Sequence, residues 1–112
     1  MTVDHAPTRD PLALSDEERS VRDTVRDWAQ REVVPGAAQR DEEEKYDRSL
    51  FEQAGQLGLT GLPYPEELGG AGMGTFAWVL AVEEIGAADM GMALSLSLHI
   101  LAQLCIYTNG TE

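Results

Sequence analysis

The stretch Asp89-Met-Gly-Met-Ala-Leu94-Ser-Leu-Ser-Leu-His-Ile100-Leu-Ala-Gln-Leu-Cys-Ile-Tyr-Thr-Asn-Gly110 admits two readings, and the choice between them decides the fold. Leu94 to Ile100 alternates apolar and polar residues with period two, which is a strand pattern. The same stretch also carries a four-residue recurrence. Ser95, His99, Gln103 and Tyr107 form one polar stripe on a helical cylinder whose remainder is Leu, Ile, Met and Ala. Asp89 can cap a helix, Asn109-Gly110 reads as an αL-type stop, and the length between them suits a helix better than a strand. The helix is therefore adopted. No residue between Met90 and Thr111 is charged, but Ser95, Ser97, His99, Gln103, Tyr107 and Asn109 interrupt the run and no Lys or Arg flanks it. A membrane span needs about 20 mostly apolar residues and usually basic anchors. A helix buried inside protein is expected instead.

Upstream segments agree with a helical fold. Thr75 can cap a helix to about Ile85, with Phe76, Val79, Leu80, Val82 and Ile85 apolar nearly all round, so it is expected to be central, and Gly86 closes it. Before it, Gly61 to Gly74 holds two prolines and five glycines and rules out a continuous element. Asp47 can cap a further helix with the stripe Leu50, Phe51, Ala54 and Leu57, stopped at Gly58. Gly36 to Tyr46 is weakly patterned, and its acid run Asp41-Glu42-Glu43-Glu44 reads as a solvated face or loop. Ser15-Asp16-Glu17-Glu18 is a capping box opening the first helix. Val21, Val25, Trp28, Ala29 and Val33 give its apolar stripe, and Pro35-Gly36 is expected to end it near Val34. Residues 1–14 read as an irregular leader, and 15–112 as an all-α, up-and-down bundle of four main helices.

Composition narrows function by exclusion. The 112 residues make one domain, with 8 Lys+Arg against 20 Asp+Glu and a net charge of −12. Such a surface repels nucleic-acid phosphates and anionic membranes. A hydrophobic share of 43% is enough for a core. Cys105, the one cysteine, excludes an internal disulfide and a cysteine-based zinc site. It is expected to be inert core, and it fits a cytoplasmic location. Residues 1–11 show no secretory or transit pattern.

No complete active site emerges from the residues alone. Gly70-Ala-Gly72-Met-Gly74 lacks the strand and spacing of a dinucleotide fingerprint and reads as a tight connection. Glu83 and Glu84 are adjacent, point to different sides of a helix, and read as helix acids, one paired with an Arg of another helix. Ser95 and His99 at i,i+4 lack an orienting acid and an oxyanion hole, so His99 reads as a satisfied, half-buried residue. His5 and His99 are too few and too separated for a metal.

The run Gly58-Leu-Thr-Gly-Leu-Pro-Tyr-Pro-Glu-Glu-Leu-Gly-Gly-Ala-Gly-Met73 resembles the N-terminal helical domain of the flavin-dependent acyl-CoA dehydrogenases. Val33-Val-Pro35 precedes it. Val82-Glu-Glu-Ile-Gly86, Ser95-Leu-Ser-Leu-His-Ile-Leu101 and Asn109-Gly-Thr-Glu112 follow in order, so the likeness covers about 12–112. The resemblance implies α,β-dehydrogenation of an acyl thioester with FAD as hydride acceptor. It also implies a β-domain holding most of the flavin contacts, and a C-terminal helical bundle supplying the carboxylate base. Neither is in these residues. The chain is thus expected to be a fragment or a piece of a larger assembly, neither retaining FAD nor catalytic by itself. Its partners would be the acyl-CoA substrate and the remaining domains or subunits, with a homo-oligomer for the full-length enzyme. A stand-alone acidic helical module with a binding role is the other reading.

By the same resemblance, five residues of the last helix contribute to substrate binding. Ala93, Ser97 and Leu101 form one stripe, with Leu94 and Leu98 flanking it. They match positions lining the closed end of the acyl pocket in medium-chain members, some of which carry larger polar residues where this chain has Ala93 and Ser97. Smaller side chains there imply a deeper or wider pocket. The competing account is that small residues let another helix approach closely.

Overall fold

In the computed structural model, which describes residues 13–111, the chain forms α1 (Asp16–Trp28), a π-helical turn (Ala29–Val33), α2 (Val34–Glu43), α3 (Arg48–Gln56), short 3₁₀ turns at Leu59–Gly61 and Glu66–Leu68, α4 (Gly74–Ala88) and α5 (Met90–Asn109). The leader expected over 1–14 lies outside the described residues but for its last two. No strand occurs among the described residues. Because α1, the π turn and α2 are continuous, four helical rods make the all-α fold.

Three caps form as their side chains dictate. The Ser15 hydroxyl accepts from Glu18 N–H at 3.2 Å while Glu18 accepts from Ser15 N–H at 3.3 Å. Asp47 accepts from both the backbone N–H and the hydroxyl of Ser49, at 2.9 and 2.6 Å. Asp89 accepts from Met92 N–H at 3.2 Å.

The first helix does not stop at Pro35-Gly36. The π turn absorbs one extra residue, Val34 N–H bonds back to Ala29 O, and Pro35 falls in the first turn of α2, where a missing amide is tolerated. Gly36 serves another purpose: a Cβ there would lie 2.6 Å from Nη1 of Arg40. The weakly patterned segment is therefore helical, its acid run a solvated face, and it ends where Glu44 turns left-handed at φ 53°. Thr75 is likewise inside α4 and caps nothing; the helix opens on Gly74 at φ +83° with no side-chain cap. Gly86 does not close α4, which continues to Ala88. A Cβ on Gly86 would sit 3.7 Å from that of Ala93, an ordinary contact, so Gly86 marks where α4 faces α5. Gly110 ends α5 in an extended rather than αL conformation.

The core joins all four rods: Val25, Trp28 and Val33, Leu50 and Ala54, Ala77, Ala81 and Ile85, and Met92, Leu96 and Ile100, with Leu59, Leu62 and Tyr64 from the connector. Helix α4 packs on both α1 and α5. Arg26 grips Glu84 through two bonds of 2.7 and 3.1 Å, the cross-helix partner expected for one of that acid pair. Helix α4 is central on one side only, since Phe76 and Val79 are exposed. Helix α5 too buries one face, and its opposite face carries exposed Met90, Leu94, Leu98 and Leu101. By length and composition alone Met90–Asn109 could cross a membrane, with 22% of its most apolar window buried. Cys105, expected in the core, is exposed on this helix.

A single residue, Asp89, separates α4 from α5. Its other carboxylate oxygen accepts from Nε and Nη2 of Arg40, at 3.1 and 2.9 Å, and Nη2 also donates to Val33 O at 2.6 Å. Asp89→Ala removes the cap and strands the half-buried guanidinium. It should cost about 2 kcal/mol and lower Tm by roughly 8–16 °C in calorimetry, with Asp89→Asn, which keeps a capping oxygen, losing less. The two Ser49 bonds hold the Asp47 carboxyl below its ordinary range. The charged form is thus favoured by folding. Its contribution is present above the usual carboxylate pKa and fades as pH falls through the lowered one. Urea melts across that acid range should show Asp47→Asn losing stability less steeply than the parent.

Candidate functional site

Two grooves flank the C-terminal half of α5, and a pair of tyrosines divides them. The connector places Tyr64 between Pro63 and Pro65, and Tyr107 comes from the last turn of α5; their rings stand 5.7 Å apart. Tyr64 is buried, and its hydroxyl donates to Ile100 O, pinning the connector to the middle of α5. Burial, with a smaller contribution from Cys105, pushes its phenol pKa up, so the hydroxyl stays a donor.

The first groove, of about 360 Å³, lies between α4, α5 and the connector. Helix α4 contributes Thr75 and Trp78, the connector Pro63 and Tyr64, and α5 Ser97, Ile100, Leu101 and Leu104 besides Tyr107. None of these carries a charge. The Ser97 hydroxyl donates to Ala93 O at 2.8 Å, so it is spent on its own helix. With the Tyr64 hydroxyl likewise engaged, the walls are mostly apolar, Thr75 and Tyr107 contributing the remaining hydroxyls, and suit a hydrocarbon chain.

Of the five residues singled out on α5, Ser97 and Leu101 line this groove. Ala93, 1% exposed, lies behind it at the close approach of α4. Leu94 and Leu98, 58% and 57% exposed, stand on the outward ridge beside Leu101 and do not line the groove. Trp78 and Tyr64 were not singled out in the sequence. An aromatic residue held between two prolines in a glycine-rich connector is the signal that marks Tyr64; Trp78 carries none beyond its size.

The second groove, of about 400 Å³, runs along the connector past Gly58, Gly61, Gly69, Gly70 and Gln103. Ser95 and His99 do not pair: Ser95 donates to Gly91 O at 2.9 Å, while His99 Nε2 lies 3.0 Å from Gln103 Nε2 and its ring meets Phe51 edge-on at 5.1 Å. For that contact to be a hydrogen bond, the amide donates and His99 Nε2 accepts. Half-buried and partnered, His99 has no nucleophile to activate.

The connector does not suit a flavin pyrophosphate. Every amide from Leu68 to Met73 already donates to a carbonyl of the connector, between Gly61 and Glu66. A Cβ on Gly70 would fall 2.2 Å from Tyr64 O, so the glycine is taken up by the loop's own fold rather than by a cradle. No group of three or more potential metal ligands occurs among the described residues.

Residues 15–112 match the family model "Acyl-CoA dehydrogenase, N-terminal domain". The chain belongs to the acyl-CoA dehydrogenase family. It is 39% identical over 100 residues to a probable acyl-CoA dehydrogenase, YngJ, of Bacillus subtilis, covering 88% of this chain and 26% of that protein. It is 40% identical over 88 residues to the mitochondrial short-chain specific acyl-CoA dehydrogenase of Sus scrofa, covering 77% and 21%. A solved chain described under "Electron transferring flavoprotein of Acidaminococcus fermentans: Towards a mechanism of flavin-based electron bifurcation" superposes with a TM-score of 0.86 at 31% identity, covering 91% of this chain and 27% of that one. The chain therefore spans about a quarter of the length of the relatives it matches, and corresponds to their N-terminal helical domain.

Proposed function

We propose that this domain forms one wall of the acyl pocket of an FAD-dependent dehydrogenase that introduces an α,β double bond into an acyl thioester. The observation that carries the reading is the apolar groove of Ser97 and Leu101 on a helix that falls within the family match. Relatives named as acyl-CoA dehydrogenases support the thioester as substrate. In this role Ser97 and Leu101 meet the acyl chain directly. Leu94 and Leu98 extend the same apolar wall along the ridge, and Ala93 sets the spacing of α4 behind it. The domain's share is to bind, orient and exclude water; a methylene chain against these side chains gains about 0.8 kcal/mol per buried CH₂. FAD and the base that removes the α-proton belong, on this proposal, to protein outside these 112 residues, in a homo-oligomeric enzyme of the cytoplasm.

The test is anaerobic addition of acyl-CoA to the complete enzyme carrying this domain, which should bleach its flavin. The 112-residue chain alone should purify colourless and give no turnover with a dye acceptor. A flavin left oxidised by acyl-CoA of every chain length would sink the reading.

Ser97 offers a finer check. Ser97→Leu places bulk in the groove and should lower kcat/KM selectively for the longest acyl chains, by about 1–3 kcal/mol per excluded methylene. A uniform loss at all lengths would leave Ser97 as a packing residue.

A further inference from the structure

We infer that Trp78 of α4 is the floor of the acyl groove and determines the longest acyl chain the protein accepts. This rests on the groove being the acyl site. The small residues of α5 open space on one side of the α4–α5 contact, and α4 takes that space back. At Ala93 it does so at Gly86, where a Cβ would stand 3.7 Å from that of Ala93. Two helical turns before Gly86, α4 presents Trp78, and two turns beyond Ala93, α5 presents Leu101; both line the same groove, with Ser97 between Ala93 and Leu101. The indole is 8% exposed, so it is held by the core, and it is among the residues that line the groove. With Ile100 and Tyr64, 7% and 9% exposed, it makes up the most buried part of the groove's lining. Two hydroxyls that line the same groove, of Ser97 and Tyr64, are bonded to helix carbonyls and leave the hydrocarbon to the apolar walls. The depth implied by Ala93 and Ser97 is thus limited from the opposite helix.

The experiment compares kcat/KM across straight-chain acyl-CoAs for the complete enzyme and its Trp78→Phe and Trp78→Ala variants, with Tm measured for each. The longest chain used well should move upward, further for Ala than for Phe. For an acyl chain two carbons beyond the parent's limit, kcat/KM should rise at least about tenfold in Trp78→Ala, while the shortest substrates change little. If Trp78→Ala does not fold, the Phe variant alone must show the upward shift. An active enzyme whose length profile is unmoved, or scaled equally at every length, overturns the role of Trp78 and leaves the dehydrogenase reading intact. A parent enzyme whose flavin no acyl-CoA reduces overturns both.

Discussion

The whole fold turns on one carboxylate. Between Ala88 and Met90 the chain must leave one helix and enter another within a single residue, and Asp89 does this at φ −160°, ψ 106°. Its N–H still closes α4 on Ile85 O, its own carbonyl accepts from Ala93 N–H, and its two carboxylate oxygens serve Met92 N–H and the Arg40 guanidinium separately. Only about 16–17% of each side chain remains accessible, so the pair is largely dried, and it is the further hydrogen bonds of both partners that offset the desolvation. Arg40 reaches the junction through two upstream devices. The π turn inserts a residue and so rotates α2 by about 100° relative to an unbroken helix. Gly36, one turn before Arg40, leaves room for the guanidinium.

What could be read from the sequence was local. Ser15, Asp47 and Asp89 act on amides two or three residues away, so their caps needed no knowledge of the rest of the chain. The four-residue recurrence of Ser95, His99, Gln103 and Tyr107 outweighed the period-two run because it extends beyond Leu94–Ile100, into the last turn of the helix. Errors arose where a residue's role depends on how the helix around it is built or packed. Pro35 and Gly36 look like a stop and are instead a first-turn proline and clearance for Arg40. Gly86 looks like a terminator and is a contact point for Ala93. Cys105 looks like core because its neighbours in sequence are apolar, but it sits on the face of α5 that this chain leaves uncovered.

The candidate site divides in the same way. Helical spacing alone groups Ala93, Ser97 and Leu101, yet burial separates them, because α4 crosses close at Ala93 and stands off at Leu101. No spacing rule brings Trp78, fifteen positions before Ala93, or Tyr64, in the irregular connector, to that wall. They arrive through the α4–α5 contact and the hydroxyl bond to Ile100 O. The groove is therefore lined in part by residues that helical spacing does not reach, Tyr64 marked only by its flanking prolines and Trp78 only by its size.

Helix α5 shows why a stretch apolar nearly all round need not be buried all round. Met92, Ala93, Leu96 and Ile100 hold it to the core, and the Ser95 hydroxyl and His99 Nε2 find partners on the helix itself. The remaining face, Met90, Leu94, Leu98, Leu101 and Leu104, stays in contact with water in this chain. Exposed apolar surface costs about 25 cal/mol per Å² relative to burial, so folding of these residues alone gains nothing from that ridge. Its composition makes sense only through what it meets outside the core. On the proposed reading Leu101 and Leu104 meet the acyl groove, and Met90, Leu94 and Leu98 continue the apolar ridge beyond it. On that reading the helix carries two separate hydrophobic tasks on two faces. The first was legible from its caps and stripe; the second becomes legible only when the structure shows which leucines the core leaves unused.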